Sequence, residues 1–145
     1  MKGIIMTLAF IASSMFAFAG EGNVSKNVLT AFGKEFQGAT EVSWSAGSDY
    51  YRAEFVLNNQ YISAFFSNSG ELMGVTRNIS SLNLPLTLQN KLRKEYGNYW
   101  ISDLFEVSNR EGTRYYVTLE NADKKMTLKS DSDTNWDVFS KSAKL

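Results

Sequence analysis

The sequence predicts an α+β fold made of two tandem αββββ units, and three observations carry that reading. Apolar residues recur every four positions over residues 24–36 and again over 88–96, the spacing of one helix face. Behind each stripe the period changes to two, as in strands with one side on a core. Between them, Asp49 to Phe66 has the form of a β-hairpin closed by Asn58-Asn59, residues that tolerate the positive φ of a primed turn.

The first unit opens with a polar lead, Glu21 to Val24, in which Asn23 or Ser25 can cap a helix. Val24, Val28, Phe32 and Phe36, with Leu29 beside them, form the apolar stripe, and Gln37-Gly38 ends it. Thr40 to Ala46 is a first strand with Val42, Trp44 and Ala46 on one side and Glu41, Ser43 and Ser45 on the other. Gly47-Ser48-Asp49 turns into the hairpin, and Ser67 to Gly70 turns into a fourth strand, Glu71 to Thr76.

Arg77 to Asn83 then links the halves, and Pro85 sits where the first turn of a helix accepts it. Leu88, Leu92 and Tyr96 continue the second stripe. Strands are expected at Trp100 to Val107, around Tyr115, Val117 and Leu119, around Met126 and Leu128, and at Trp136 to Phe139. Lys94-Glu95-Tyr96 echoes Lys34-Glu35-Phe36, and Tyr115-Tyr116 echoes Tyr50-Tyr51. Turns of different length between two diverged copies would account for the drift in spacing between these echoes, the alternative being chance similarity between two αββββ segments.

At 145 residues, with 43% hydrophobic and 14% aromatic side chains, the chain has material for one domain with a core. Fifteen basic side chains balance fifteen acidic ones, so no global field attracts nucleic acid or an anionic membrane. Cys and His are absent, which removes thiol nucleophiles, disulfides, imidazole bases and thiolate or imidazole metal sites. No catalytic residue, no cofactor and no metal site is therefore expected, and the chain is not expected to be an enzyme.

Lys2, the apolar run Gly3 to Phe16 and Ala17-Phe18-Ala19 follow the order of a secretory signal peptide cut before Gly20. The rival is an uncleaved anchor, but the run is shorter than the roughly 20 residues of a spanning helix and no basic stop-transfer segment follows. The expected organisation is a leader, residues 1–19, and one domain, residues 20–145, with repeats at about 20–79 and 80–145. Loss of Lys2 leaves 14 basic and 15 acidic side chains, a net charge of −1, on a periplasmic or secreted protein with no membrane attachment.

The hairpin supplies the candidate site. A two-residue turn pairs residue 57 with 60, 55 with 62, 53 with 64 and 51 with 66. Tyr51, Ala53, Phe55, Leu57, Ile62, Ala64 and Phe66 then share a core face. Tyr50, Arg52, Glu54, Val56, Tyr61, Ser63 and Phe65 share the other, which is more aromatic than a solvated face requires. Tyr50, Arg52, Tyr61 and Phe65 are the candidate binding residues, because Tyr and Arg are enriched where proteins bind one another. Cross-strand pairing within the sheet is the competing account of the same residues.

Two other patterns carry less. Asp131-x-Asp133-x-Asn135 copies the first half of a calcium loop, but Trp136 and Ser142 stand where its Gly and Glu belong, so a polar turn is expected. Glu54 and Glu120 sit at outward strand positions and are expected to be solvated carboxylates.

At Phe36-Gln37-Gly38-Ala39, Val42-x-Trp44, Tyr51, Phe55 and Phe65-x-x-x-Ser69-Gly70-Glu71, the chain resembles the PepSY-like, β-lactamase-inhibitor-like family of exported bacterial proteins. It departs from that pattern at Gln37, where the family has Pro, and at Asn68 and Ser69. Leu84-Pro85, Trp100-x-Ser102 and Tyr115-Tyr116-Val117 look like the family's second copy. The resemblance implies that both repeats join one curved antiparallel sheet, with both helices packed on one face. It also implies a protein-binding module, inhibitor-like, that grips an unidentified protein partner with the open sheet face. A carrier holding a small apolar ligand between sheet and helices, and a structural envelope protein, are the alternatives. An apolar open face speaks for the first and an internal cavity for the second.

Overall fold

The computed structural model describes residues 17–144, with side chains from Gly20 onward. The expected leader lies outside the described residues apart from Ala17–Ala19, which form strand β1. The elements that follow are α1 (Lys26–Glu35), β2 (Thr40–Ala46), β3 (Tyr50–Leu57), β4 (Gln60–Ser67) and β5 (Leu72–Asn78), then α2 (Leu86–Glu95), β6 (Trp100–Asn109), β7 (Gly112–Glu120), β8 (Lys124–Ser130) and β9 (Asp137–Ala143). A short 3₁₀ turn precedes each helix, at Glu21–Asn23 and Ser81–Asn83, so the order of elements recurs down to its lead-in. All nine strands form one antiparallel sheet in sequence order, β1 at one edge and β9 at the other.

The hairpin β3–β4 has the expected register, with Leu57 opposite Gln60, Phe55 opposite Ile62 and Tyr51 opposite Phe66. Asn58 and Asn59 take φ of 52° and 61°, the left-handed pair that matches the twist of the strands they join. Ser25 caps α1, its hydroxyl accepting from the Val28 amide at 3.4 Å. Gly70 closes the β4–β5 turn at φ 90°, where an added Cβ would stand 2.8 Å from the Asn27 carbonyl oxygen. That turn tucks under the start of α1 and admits only glycine without a shift.

Both helices lie on the same side of the sheet. Ile62 faces Arg77, Arg77 faces Glu106, Glu106 faces Tyr115 and Tyr115 faces Ser130 across successive strands, so these side chains share one face. At its β2–β4 end this face packs on α1, with Val28, Trp44, Ala53, Phe55, Ala64 and Phe66 buried. The Phe32 ring is the hub, 5.1 Å from Phe55 and 5.2 Å from Trp44 between centroids, both edge to face. At the other end Leu88 and Leu92 of α2 meet Leu104, Val117, Leu119, Met126 and Leu128. Between the two clusters stands a polar cross-strand pair: Arg77 Nε donates to Glu106 at 3.0 Å and a second guanidinium nitrogen donates at 3.3 Å.

Val42 shares the helix side with Trp44, as its alternation implies, and lines a recess there with Leu29 and Phe32, but it is exposed beside the β2 bulge between Thr40 and Ser43, where Glu41 takes φ 54°. Two expectations are corrected. Arg77 and Asn78 extend β5 instead of linking the halves, since both pair with β6. The last strand is Asp137–Ala143, running well past Phe139; its Lys and Ser residues show no alternation because an edge strand exposed on both sides needs none.

Candidate functional site

The side of the sheet away from the helices carries Ser43 and Ser45 of β2, Arg52 and Glu54 of β3, Tyr61, Ser63 and Phe65 of β4, Thr76 of β5, Phe105 and Val107 of β6, and Tyr116 and Thr118 of β7. It is hollowed. One recess, about 530 Å³, runs from Glu41 and Ser43 across Arg52, Tyr61, Phe65 and Thr76 to Asp103 and Phe105. A second, about 580 Å³, runs from Asp103 and Phe105 across Tyr116, Thr118 and Thr127 to Phe139 and Ser142. The two adjoin at Asp103 and Phe105, so the open face is one trough crossing β2 to β9.

Within the first recess the structure separates the four candidate residues. Tyr61 stands on the rim beside the Asn58-Asn59 turn, 76% exposed. Phe65 is buried, only 6% exposed. Its ring lies 5.9 Å from that of Tyr50, and the Arg52 guanidinium carbon lies 5.9 Å from its centroid. Arg52 is also ion-paired with Glu54, two residues along the same strand. Of the four candidates, Phe65 thus offers little open surface, as the cross-strand account requires. Arg52 sits directly opposite it and Tyr50 diagonally, so cross-strand pairing covers the ring. Tyr50 and Arg52 are half-buried by the same contacts.

The second recess was not singled out from the sequence. Its floor is the Phe105–Tyr116 pair, directly opposite in register and stacked at 5.1 Å and 9°. Phe139 meets Tyr116 edge to face at 5.5 Å. The Thr118 and Thr127 hydroxyls, both buried, lie 3.2 Å apart and satisfy each other. A usable signal was present in the strand order: Tyr116 alternates with Arg114, Thr118 and Glu120, the same outward pattern that marks Tyr50. At the far rim Glu120 is gripped by Lys144 at 2.8 Å and Lys125 at 3.4 Å. The hydrogen bond from Lys144 is the main cause of a carboxyl held below its usual range; burial opposes it, and hydrogen bonds from Ser102 and Lys125 add lesser lowering contributions. A lowered carboxyl suits a fixed anion; a general acid needs the opposite shift.

The acidic turn after β8 is tied by cations of the protein itself. Asp131 meets Arg114 at 3.0 Å and Lys129 at 3.1 Å. Trp136 packs on the second cluster and donates to the Leu88 carbonyl at 3.1 Å, which fixes the turn against α2. Among the described residues no three acidic side chains come close enough to hold a metal ion. Between sheet and helices, where a carried ligand would lie, Leu88 is fully buried, and recesses open at the margins, about 560 Å³ at Leu29, Phe32, Val42 and Trp44 and about 310 Å³ at Gln89, Leu92, Tyr96 and Leu119.

No protein-family model and no curated protein matches this chain. Solved structures do. A BLIP-like protein from Bacteroides fragilis is similar over 82% of this chain and 85% of its own, at 20% identity and a TM-score of 0.69. A protein from Bacteroides eggerthii described as putative periplasmic is similar over 83% and 88%, at 17% identity and a TM-score of 0.73. A DUF2874 family protein from Bacteroides uniformis is similar over 82% and 88%, at 18% identity and a TM-score of 0.72. At such identities the likeness speaks for the fold, and the fold is BLIP-like: an open antiparallel sheet with two helices on one face. No helix among the described residues is long and apolar enough to cross a membrane.

Proposed function

We propose that this chain is an exported, PepSY-like protein-binding module without enzymatic activity, acting in an inhibitor-like manner on a protein partner in the periplasm or outside the cell. The contact surface is the trough on the open face. One observation carries the reading: the helix-free side of the sheet is concave and aromatic-floored along its length, with two recesses that merge at Asp103 and Phe105. A solvated sheet face has no use for a buried Phe65, Tyr116 and Val107. A trough this long suits a convex protein surface better than a small molecule, which binds in a closed pocket. The BLIP-like and periplasmic descriptions of the structural neighbours agree with this reading.

Site-resolved photo-crosslinking in the exporting cell tests it. A photoreactive side chain at Tyr61 or at Ser140, which line the two recesses, should give the same discrete adduct. At Leu86, exposed on the helix side, it should give none, and the species in the adduct should begin at Gly20 by mass. An adduct from Leu86 alone, or none from either recess, refutes the proposal.

A further inference from the structure

We infer that the β2–β6 half of the trough is shaped for a basic polypeptide segment, a helix or loop presenting lysine or arginine; the inference rests on the open face being the binding surface. The argument begins with a local charge imbalance that the neutral total hides. Among the described residues, Glu41, Glu54 and Asp103 line this recess against one cation, Arg52, a balance of two negative charges. Arg52 is committed to Glu54. Neither Glu41 nor Asp103 makes an ion pair among the described residues, and Asp103 accepts a hydrogen bond from the Asn78 amide at 3.0 Å. The opposite half differs, because Lys125 and Lys144 already neutralise Glu120.

Geometry sets the size of the occupant. Glu41 belongs to β2 and Asp103 to β6, so the two carboxylates stand at opposite ends of this recess, roughly 19 Å apart at the usual strand spacing. A single small cation cannot reach both, whereas a polypeptide segment lying along the recess, with basic side chains toward either end, can. Between the two ends, Tyr61, Val56 and Phe105 offer apolar and aromatic surface on which the stems of such side chains can lie. Arg52 shows this chemistry internally, its guanidinium over Phe65 and its charge on Glu54. The Glu41 bulge contributes to the arrangement, since the left-handed turn at that residue interrupts regular β2 pairing and places Glu41 at the recess edge.

The test uses the mature chain and two synthetic helical peptides of equal length, one of alternating alanine and lysine blocks and one with glutamate in place of lysine. In amide NMR titrations at low salt, the lysine peptide should shift resonances of Glu41, Glu54, Tyr61, Asp103 and their neighbours. The shifts should shrink on raising salt, and the glutamate peptide should cause none. The double variant Glu41→Gln, Asp103→Asn keeps shape and hydrogen bonding, and should bind the lysine peptide about tenfold more weakly with an unchanged urea midpoint. Unchanged affinity in the double variant, or shifts confined to the helix side, overturns the inference. The two readings fail separately. A Tyr61 adduct that survives unchanged in the double variant keeps the open-face surface and removes the basic segment. Absence of any open-face adduct, with lysine-peptide binding intact, removes the first reading and leaves the charge preference.

Discussion

At the scale of single residues the open face holds two kinds of aromatic, and one pair of substitutions separates them. Phe65 is buried under Tyr50 and Arg52, whereas Tyr61 on the same strand is 76% exposed. Phe65→Ser should therefore cost about 2–4 kcal/mol in a urea melt, while Tyr61→Ser should stay within about 0.5 kcal/mol. Equal effects would mean that the two rings share one environment. On the helix side, Phe55 is 2% exposed and within 5.1 Å of Phe32 and 4.8 Å of Phe36. Phe55→Ala should remove about 3–5 kcal/mol, read from the urea midpoint at unchanged slope. Which face each hairpin residue occupies was legible from Asn58-Asn59 alone, because a two-residue turn fixes every later pair. Whether an outward ring is covered was not legible, because the cross-strand arginine and diagonal tyrosine that pack on Phe65 take side-chain directions that no spacing rule specifies.

At the scale of elements, sequence periodicity placed β3, β4 and β7 well, because the regular β3–β4 and β7–β8 ladders keep each residue on the face its alternation assigns. It failed at the far end of the sheet, where β9 lies at an edge and no buried face imposes a pattern. The closing of the β7–β8 end by the chain terminus was equally hidden, since Lys144 reaches Glu120 from beyond the last strand and lies 4.6 Å from the Trp100 ring centroid. That contact has a pH signature. Glu120 has a folded pKa below its unfolded value, chiefly through the Lys144 hydrogen bond. Its contribution to stability is thus present above the ordinary carboxylate range, near pH 4–5, and is lost as pH falls through the folded value. Replacing Lys144 with Met should lower stability at pH 7, and the difference should shrink as pH falls through the folded pKa of Glu120, so that the two stability–pH curves converge on acidification. Parallel curves would show that Lys144 acts through packing on Trp100 alone.

At the scale of the whole molecule, two separate cores share one sheet, and the recurrence of helix and four strands was visible in the echoes Lys34-Glu35-Phe36 and Lys94-Glu95-Tyr96. What joins the halves was not visible, because Arg77 looked like linker. The β5–β6 ladder consists of four residue pairs, Val75 with Ser108 through Asn78 with Phe105, against eight between β3 and β4 and nine between β6 and β7. The shortest of these junctions carries the two-bond Arg77–Glu106 pair, itself fastened to β4 where Arg77 donates to Gln60 at 3.2 Å. Glu106 is only 16% exposed, so removing its partner leaves a carboxylate poorly solvated as well as a ladder unclamped. Opening of one half then no longer has to strain the other. Native-state amide exchange measures this directly, since amides that open only by global unfolding report one common free energy. In the parent protein the slowest amides of β3–β4 and of β7–β8 should agree within about 0.5 kcal/mol, and Arg77→Ala should separate them by about 1 kcal/mol or more. Halves that already differ in the parent, or that stay matched in the variant, would place the coupling elsewhere than at this pair.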